Sequence, residues 1–571
     1  MLKLAPRRVT VRSVGDVRYL ESPTPLAAHT ATLAEMFRDA ATRAPDRDFL
    51  IERRTAGLRR VTYREALRAA EGVADWLSRD PSDAPVAALS GNSVDHALLM
   101  LGCFLARVPF VPVSPAYSLM SQDFAKLRAV IERVKPRAVF VQTKAPFERA
   151  LAAFEMKAPL ITSESIADLY AREPSEAPIV RGDDVAKILF TSGSTGFPKG
   201  VPNTHAMLCA NQQMITQLWP FLEEDEPPVL VDWLPWSHTF GGNHNFNMVL
   251  RHAGTLFVDE GKPSEVLVGA SVRNLRDVPP TLYFNVPAGY AAIVPRLEQD
   301  DELRRAFFSR LRVMFYAAAA LPPDLWTRLV ALAKRESEHD VFMTTAWGAT
   351  ETSPLATSAH FAGTPGNIGL PAPGVTLKLV PNGSKLEVRV KGPSVMRGYL
   401  DEPELTKNAF DEEGFYRIGD AVRFADEADP TSGLMFDGRV AEDFKLASGT
   451  WVSVTAVRTG ILAHAGDALS DVIVCGHDRE HVAILAWPRR SIDDALVTDV
   501  STALAAWNAA NPASSSRVLR VMLLREPPNI DAGEITDKGY TNQRATRERR
   551  SADVARLFAS EPDAEVIVLA G

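Results

Sequence analysis

The chain has 571 residues, 46% of them hydrophobic and 23% charged, which is typical of a soluble globular protein. This length is too great for one hydrophobic core, so we expect several subdomains. The net charge of −8 argues against a nucleic-acid partner, because binding a phosphate backbone requires a basic surface.

The lack of a recognisable secretion signal and the pattern of cysteines indicate a cytoplasmic protein. No apolar stretch reaches the roughly 18 residues needed to span a membrane, and the basic N-terminal segment lacks the apolar core of a secretion signal. The cysteines Cys103, Cys209 and Cys475 are odd in number and far apart in the chain. We therefore expect three reduced thiols that pack as small apolar side chains.

Helical and strand-like patterns alternate through about the first 430 residues. Thr62 and Glu65 form a predicted capping box, after which apolar residues recur at helical spacing as far as Leu77. Short β-type runs follow at 85–90 and 137–142. This alternation predicts an α/β fold in which helices cover the faces of a sheet.

The pattern changes near residue 365. Two alternating runs, at 376–380 and 385–390, flank a Pro-Asn-Gly-Ser turn and predict a β-hairpin. We predict a large N-terminal domain at 1–437, whose β-rich subdomain covers about 365–437. We predict a small α+β C-terminal domain at 438–571, in which 545–558 forms one charged amphipathic helix.

The most informative segment is TSGSTGFPKG at 191–200, directly behind an apolar run at 188–190. Glycines let the backbone turn and approach a ligand, and successive N–H groups in such a turn form an anion-binding concavity. Hydroxyls and an ammonium add donors for phosphate oxygens. The strand-like run in front and the Pro-Lys-Gly ending favour a polyphosphate site over a flexible surface loop. The candidate ligands are Thr191, Ser192, Gly193, Ser194, Thr195, Gly196 and Lys199.

The spacing in this segment excludes two common nucleotide motifs. A P-loop requires G-x-x-x-x-G-K-[ST], whereas Lys199 follows Pro198 and precedes Gly200. No G-x-G-x-x-G follows a strand to indicate a dinucleotide fold.

The segment resembles the phosphate loop of adenylate-forming enzymes, the superfamily of acyl-CoA synthetases, nonribosomal adenylation domains and luciferases. Four further segments resemble that family's motifs in the expected order: 233–242, 347–351, 416–420 and 438–445. The resemblance implies that a carboxylate attacks the α-phosphorus of ATP and releases pyrophosphate. The acyl-adenylate then passes to a thiol and AMP leaves.

The resemblance also implies roles for residues in the first three of these motifs. His238 would lie beside the reacting carboxylate and gate access to it. Trp347, where the family usually has tyrosine, would stack on adenine, and Thr350 would reach a phosphate. Glu351 would help to hold Mg²⁺, which needs only one or two protein carboxylates. Asp420 would accept hydrogen bonds from the ribose hydroxyls.

The fourth motif, where the two predicted domains meet, departs most from the family. Arg439 would lie near the ribose and phosphate, and Lys445 and Gly449 would line the channel for the incoming thiol. Ala441 stands where the family has an Asp or Lys hinge, and the glycine comes one residue late. The hinge could therefore lie at a neighbouring position.

Two other segments differ from the family. A lysine near the C-terminus usually bridges the carboxylate and ATP, and in 531–540 one alignment places Glu534 there while another places Lys538. Only a cation can neutralise the shared negative charge, so we predict Lys538. Ala318 and Ala319 replace glycines in the adenine-binding turn, and their methyl groups are expected to narrow the approach to the base.

The chain is more specifically similar to feruloyl-CoA synthases, through segments 114–128, 231–246, 441–454 and 531–540. This similarity implies a hydroxycinnamate or related aryl acid as substrate, with ATP, Mg²⁺ and coenzyme A as cofactors. The predicted acid pocket comprises Asn243, His244, Tyr283, Asn285 and Trp347, because amide and imidazole groups can bond ring hydroxyls while aromatic rings stack.

Three alternatives stay open. The enzyme could load a carrier protein instead of CoA, although no carrier-like segment is fused to it. It could act on a fatty acid or another aryl acid. It could also be an inactive ATP- or acyl-AMP-binding protein, an interpretation suggested by the alanine-rich adenine turn.

Overall fold

The computed structural model describes residues 2–153, 158–175, 178–191, 197–264, 266–383, 385–536 and 541–569. Within these ranges the strands are β1 (Thr10–Val14), β2 (Val17–Glu21), β3 (Asp48–Arg54), β4 (Gly57–Thr62), β5 (Val86–Ala88), β6 (Phe110–Pro112), β7 (Ala138–Phe140), β8 (Leu160–Ile161), β9 (Val185–Thr191), β10 (Lys199–Thr204), β11 (Val229–Asp232), β12 (Thr255–Val258), β13 (Leu282–Asn285), β14 (Val313–Tyr316), β15 (Phe342–Gly348), β16 (Leu355–Ser358), β17 (Asn367–Pro371), β18 (Thr376–Asn382), β19 (Lys385–Lys391), β20 (Tyr416–Phe424), β21 (Leu434–Arg439), β22 (Phe444–Lys445), β23 (Trp451–Val452), β24 (Leu469–Cys475), β25 (Val482–Pro488), β26 (Val518–Leu523) and β27 (Val566–Val568).

The α-helices in the same ranges are α1 (Leu33–Arg43), α2 (Tyr63–Ser78), α3 (Val94–Leu105), α4 (Ala116–Leu119), α5 (Ala125–Val134), α6 (Glu148–Ala152), α7 (Ala167–Tyr170), α8 (His205–Leu218), α9 (Phe221–Glu224), α10 (Phe246–Arg251), α11 (Val268–Asp277), α12 (Pro287–Gln299), α13 (Asp301–Phe308), α14 (Pro323–Glu336), α15 (Pro403–Ala409), α16 (Val454–Ala465), α17 (Asp494–Ala510), α18 (Gln543–Arg549) and α19 (Ser551–Leu557). None of these helices is long and apolar enough to cross a membrane.

The α/β alternation predicted for the first 430 residues is confirmed. Thr62 caps α2 through a complete capping box with Glu65, as the sequence indicates. A six-stranded sheet runs β10-β9-β6-β5-β7-β8 and a four-stranded sheet runs β11-β12-β3-β4 across the described residues. Helices α1, α2, α3 and α8 contribute buried apolar side chains to one large core with these sheets.

The largest sheet joins the parallel and antiparallel parts of the molecule. In the described ranges it has eleven strands, in the order β1-β2-β18-β19-β20-β21-β17-β16-β15-β14-β13. β13, β14 and β15 are parallel, whereas β16 to β21 pair antiparallel. β18 and β19 form the predicted hairpin, with Asn382 opposite Lys385. The β-rich part predicted after residue 365 is therefore present, but its strands belong to the same sheet as the preceding parallel strands.

The C-terminal part of the chain has its own small core. β24, β25, β26 and β27 form a sheet, and two apolar clusters built from residues between 444 and 569 pack against its faces. The overall class is the predicted one: a large N-terminal α/β region with a β-rich part and a smaller α+β C-terminal region.

The prediction of one continuous helix over 545–558 is wrong. The segment forms α18 and α19, which meet at Arg550, where φ is −94° and ψ is 32°. The Arg550 side chain is 7% exposed and its Nε bonds to Glu534 at 2.6 Å. Helical periodicity carries no information about this tertiary contact, so the break could not be predicted from the sequence.

Candidate active site

The predicted phosphate loop connects two antiparallel strands. β9 ends at Thr191 and β10 begins at Lys199, and these two residues are paired in the ladder. Both strands are largely buried, so the loop is carried on a rigid base. Ser192, Gly193, Ser194, Thr195 and Gly196 lie outside the described residues.

Lys199 and Glu351 lie on either side of a tyrosine that no sequence motif singled out. Lys199 Nζ is 5.2 Å from the ring centroid of Tyr399. The Tyr399 hydroxyl donates to Glu351 Oε1 at 3.0 Å and lies 3.3 Å from the Tyr416 hydroxyl. Burial, with the Glu351 charge, raises the pKa of Tyr399, which keeps its hydroxyl protonated. Tyr399 lies between the family motifs along the chain, so only the structure reveals it.

Trp347 and Asp420 form one hydrogen-bonded unit at the predicted ribose position. Trp347 is near the end of β15, and its Nε1 donates to Asp420 Oδ2 at 2.9 Å. Asp420 Oδ1 lies 2.9 Å from Nε of Arg439, which is its partner across β20 and β21. Burial raises the pKa of Asp420, while the charge of Arg439 and the hydrogen bond from Trp347 oppose the rise.

These residues fit a nucleotide. Asp420 Oδ1 is buried and receives no hydrogen bond of good geometry from any described residue, so it is an acceptor suited to a ribose hydroxyl. No group of three or more His, Cys, Asp or Glu side chains converges on a metal position in the described ranges. The single carboxylate of Glu351 therefore suits Mg²⁺ that takes its other ligands from phosphate and water. Thr350, 5% exposed, precedes Glu351 in the short 3-10 turn Thr350–Thr352.

The alanine-rich adenine turn follows β14. Ala318 and Ala319 are exposed there, and Ala318 has φ of 72°. This is the left-handed region that favours glycine, so Ala318 occupies a conformation in which its methyl group is strained. The turn keeps the backbone form expected of glycine while carrying an alanine.

The segment 235–245, which we call the gate turn, contains the predicted gate histidine. Its second half, Phe240–Asn245, is a π-helical turn, and the N–H of Gly242 donates to the carbonyl of His238 at 2.8 Å. A Cβ at Gly242 would lie 2.4 Å from Trp236 O, so this close approach requires glycine. His238 is half-buried. Wide turns of this kind are frequent at functional sites.

His244 projects from the gate turn into a buried aromatic group, whereas its neighbour Asn243 contacts polar side chains. The His244 ring stacks on Phe315 at 5.2 Å and meets Phe284 at 5.4 Å. Burial lowers the pKa of His244 to about 4, so the ring is neutral at pH 7. Asn243 Nδ2 donates to Asn203 Oδ1 at 2.9 Å, while Asn243 Oδ1 has no hydrogen-bond partner among the described residues.

The structure does not bring Tyr283 and Asn285 to this group. Side chains alternate along a strand, and Phe284 of β13 faces His244. Tyr283 packs in a second core, with its ring 5.0 Å from that of Phe307. Asn285 donates to the Tyr283 hydroxyl at 2.9 Å and accepts from the Val286 N–H. Tyr283 and Asn285 therefore lie apart from His244, whose ring neighbours are Phe240, Phe284, Phe315 and Trp219.

Lys445 and Gly449 belong to the small C-terminal region. Lys445 is exposed on β22, with its Nζ 5.0 Å from the ring of Trp451. Gly449 has φ of 82° in the loop between β22 and β23. Lys445 thus packs against Trp451 of the small C-terminal region, apart from the residues around Glu351. Its role in the transfer to the thiol stays a prediction.

Glu534 is a structural residue. It is fully buried, receives the N–H of Asn529 at 2.8 Å, and pairs with Arg549 and Arg550. Burial raises the pKa of the Glu534 carboxyl, but these hydrogen bonds and the arginine charges hold it below its usual value. Lys538 lies outside the described residues, between Ile535 and Thr541, which are joined by an isolated β-bridge.

Polar contacts dock the small region onto the large one. Asp531 accepts hydrogen bonds from Ser121 Oγ at 2.6 Å and from the Gln122 N–H at 2.9 Å. Lys385, at the start of β19, forms a partly buried ion pair with Asp443, two residues after Ala441.

Comparison with known proteins identifies the family. A family model described as AMP-binding enzyme matches residues 37–400. The chain belongs to the AMP-binding enzyme family. The human mitochondrial malonate–CoA ligase is 26% identical over 512 residues, which cover 81% of this chain and 84% of that enzyme. A feruloyl-CoA synthase from an Amycolatopsis species is 28% identical over 379 residues, which cover 63% of this chain and 71% of that relative.

Solved structures show the same fold. ATP-bound MatB from Rhodopseudomonas palustris superposes with a TM-score of 0.71 at 24% identity, covering 91% of this chain and 99% of that protein. The predicted resemblance to adenylate-forming enzymes is confirmed, and this member of the family is an AMP-forming acid–thiol ligase that uses ATP, Mg²⁺ and coenzyme A with a small carboxylic acid.

Proposed function

We propose that this AMP-binding enzyme converts an aromatic carboxylic acid of the hydroxycinnamate class into its CoA thioester. The observation that supports this most is the aromatic, uncharged surrounding of His244 beside the gate turn. Phe284 and Phe315 lie within 5.4 Å of its ring, and Trp219 and Phe240 complete the group. Flat rings of this kind favour a planar aryl substrate.

The polar groups of the gate turn suit a hydroxyl better than a second carboxylate. Asn243 Oδ1 is a buried acceptor without a partner among the described residues, and a phenolic O–H is a matching donor. A short dicarboxylic acid such as malonate would place a second negative charge near this group, where His244 is neutral. Burying an unpaired carboxylate is costly, so an aryl acid is favoured although malonate–CoA ligases are among the relatives.

We assign the chain's residues to the two half-reactions as follows. Both reactants of the first step are anions, so charge neutralisation and alignment dominate catalysis. Lys199 holds phosphate oxygens, Asp420 and Trp347 fix the nucleoside, and Lys538 neutralises charge between the carboxylate and phosphate. Bound ATP would bring Mg²⁺ to Glu351, which supplies further positive charge.

The second half-reaction uses the small region. Lys445 and Gly449 are proposed to line the path of the CoA thiol, and Arg439 to contact the ribose and phosphate. We place the boundary between the regions at 437/438, close to the Lys385–Asp443 ion pair. The cytoplasm is the proposed compartment, since Cys103, Cys209 and Cys475 are buried free thiols.

An acid panel tests the proposal. The purified enzyme is given ATP, Mg²⁺ and each acid in turn: ferulate, coumarate, benzoate, malonate and a medium-chain fatty acid. ATP–pyrophosphate exchange reports adenylation, and mass spectrometry after CoA addition reports the thioester. We expect both signals to be strongest with the hydroxycinnamates.

Each other outcome contradicts a specific part of the proposal. Preference for malonate or the fatty acid would overturn the acid class. Adenylation without a CoA thioester would favour a carrier protein as acceptor. Absence of exchange with every acid would indicate an inactive nucleotide-binding protein.

A further inference from the structure

Lys187 is a fully buried lysine on β9, and no carboxylate pairs with it among the described residues. Its Nζ donates to the carbonyl of Gly242 at 2.6 Å and lies 5.6 Å and 5.8 Å from the rings of Phe104 and Phe246. Burial lowers the pKa of Lys187 to about 7. A buried amine without a counter-charge is costly, so it is a poor way to stabilise a fold.

A second buried lysine shows the usual structural arrangement. Lys378 of β18 is 7% exposed, and its Nζ lies 2.9 Å from Asp411 and also bonds Glu413. Lys378 therefore has two acidic partners, whereas Lys187 has a single backbone carbonyl. His96 and His205 interact with Lys187, and burial lowers their pKa values to about 4. Both rings are therefore neutral at pH 7, and neither offsets the charge of the lysine.

The carbonyl that Lys187 holds belongs to the gate turn. Gly242 donates its N–H to the His238 carbonyl at 2.8 Å and accepts from Lys187 through its own carbonyl. Two hydrogen bonds therefore connect β9 to the predicted gate histidine. Four residues further along, the same strand ends at Thr191, where the phosphate loop begins.

We infer that Lys187 is a positioning residue, which fixes the gate turn to the strand that carries the phosphate loop and so sets the acid site relative to the nucleotide. The inference rests on the proposed function, because it requires the acid to bind beside His238. Lys187 acts through Gly242 and touches neither the acid nor ATP.

The test replaces Lys187 with methionine, which has a similar length but no N–H donor. The acid that the wild-type enzyme activates best is used, and KM for acid, KM for ATP and kcat are measured by pyrophosphate exchange. We expect K187M to raise KM for the acid about tenfold, corresponding to about 1.4 kcal/mol for one hydrogen bond. KM for ATP should change much less, and Tm should stay level or rise because a costly buried amine is removed.

Lys378→Met is the matched control. It leaves Asp411 and Glu413 without their lysine, so Tm should fall while KM for the acid stays unchanged. Lys187→Gln is a second variant, which keeps an N–H donor on a shorter side chain, and its KM for the acid should lie between wild type and K187M. Hydrogen exchange of the peptide covering 236–246 should be faster in K187M.

The outcomes separate the inference from the proposed function. A wild-type enzyme that adenylates no acid contradicts the proposed function. An active wild type whose K187M variant has an unchanged KM for the acid, or shows only a lower Tm with normal exchange of 236–246, overturns the positioning role.

Discussion

At the scale of single residues, the candidate nucleotide site is built from pairs that are distant in sequence. Trp347 donates to Asp420, Asp420 lies against Arg439, and Tyr399 donates to Glu351. The sequence predicts a separate ligand contact for each of four residues, Trp347, Glu351, Asp420 and Arg439. The structure shows that they also orient one another, which a motif comparison does not report.

Trp347→Phe is expected to weaken ATP binding. Phenylalanine keeps a ring that can stack, but it removes the hydrogen bond to the buried Asp420 carboxylate. Hydrogen bonds to charged groups contribute about 1.5–3 kcal/mol, so KM for ATP should rise at least about tenfold in the exchange assay. Trp326→Phe, whose ring packs against Tyr316 in the second core, is the control and should leave this KM unchanged. A wild-type KM for ATP in the Trp347 variant would contradict the assigned role.

Substitutions at Glu534 and at Lys538 are expected to have different effects, the first on thermal stability and the second on adenylation. Glu534→Gln removes the buried carboxylate that pairs with Arg549 and Arg550, and leaves the buried Arg550 with the exposed Glu526 at 3.5 Å. Breaking a buried pair costs up to about 3–5 kcal/mol, so unfolding should occur at clearly lower temperature. Lys538→Ala should leave Tm unchanged and abolish adenylation, while preformed acyl-AMP is still converted to the thioester. If Lys538→Ala adenylates normally, the alignment that places the catalytic lysine there is wrong.

At the scale of elements, backbone contacts decide features that periodicity cannot show. The gate turn becomes π-helical around Gly242, and the C-terminal helix breaks at Arg550. Likewise, the loop before Lys538 contacts the large region at two neighbouring elements. Asp531 accepts hydrogen bonds from the turn before α5, and Lys126 of α5 donates through its Nζ to the Ile530 carbonyl at 2.5 Å. These contacts join residues about 400 positions apart.

Asp531→Ala is expected to separate the two half-reactions. It removes the acceptor for Ser121 Oγ and the Gln122 N–H, so the segment leading to Lys538 loses its fixed position on the large region. Pyrophosphate exchange should fall about tenfold, whereas conversion of preformed acyl-AMP with CoA should fall by less than about twofold. Asp499→Ala, which removes an exposed ion pair within the small region, is the control. An equal loss in both half-reactions would contradict this role.

At the scale of the whole molecule, buried histidines make stability depend on pH. Burial lowers the pKa values of His96, His205 and His244 to about 4 and that of His252 to about 3. Below about pH 6.5 these histidines are therefore protonated in the unfolded chain but still neutral in the folded protein. The free energy of unfolding decreases as the pH falls from about 6.5 towards 4. Asp232 acts in the opposite direction, since burial raises its pKa to about 7.

The expected slope follows from these groups. For these five groups alone, four histidines less one aspartate leave three extra protons on the unfolded chain, or about 4 kcal/mol per pH unit at the steepest point. Thermal unfolding at several pH values between 8 and 5 should show a Tm that falls most steeply below pH 6.5. Between pH 7 and 8 the Tm should still rise with pH, because burial lowers the pKa of Lys187 to about 7 and the unfolded chain then holds one more proton. His252→Gln should reduce the slope. A Tm that is constant down to pH 5 would show that these histidines are protonated in the folded state.

The amino-acid sequence by itself determined the class and the family, and it supplied most of the candidate nucleotide-site residues. Capping residues, alternating runs and turn residues act over a few positions, so α2 and the β18–β19 hairpin could be predicted locally. Motifs for phosphate, adenine and ribose also keep a fixed spacing. Residue order alone was therefore enough to predict Lys199, Trp347, Glu351 and Asp420 as nucleotide-site residues, and these roles stay predictions.

Only the tertiary structure decided the environment of these residues. Strand alternation turned Tyr283 and Asn285 into the second core and left Phe284 facing His244, because the face of each residue depends on what packs against the sheet. Tyr399, Lys187 and Asp531 were found through contacts to distant parts of the chain. Spacing along a chain encodes local geometry, whereas burial and pairing depend on which distant segments meet.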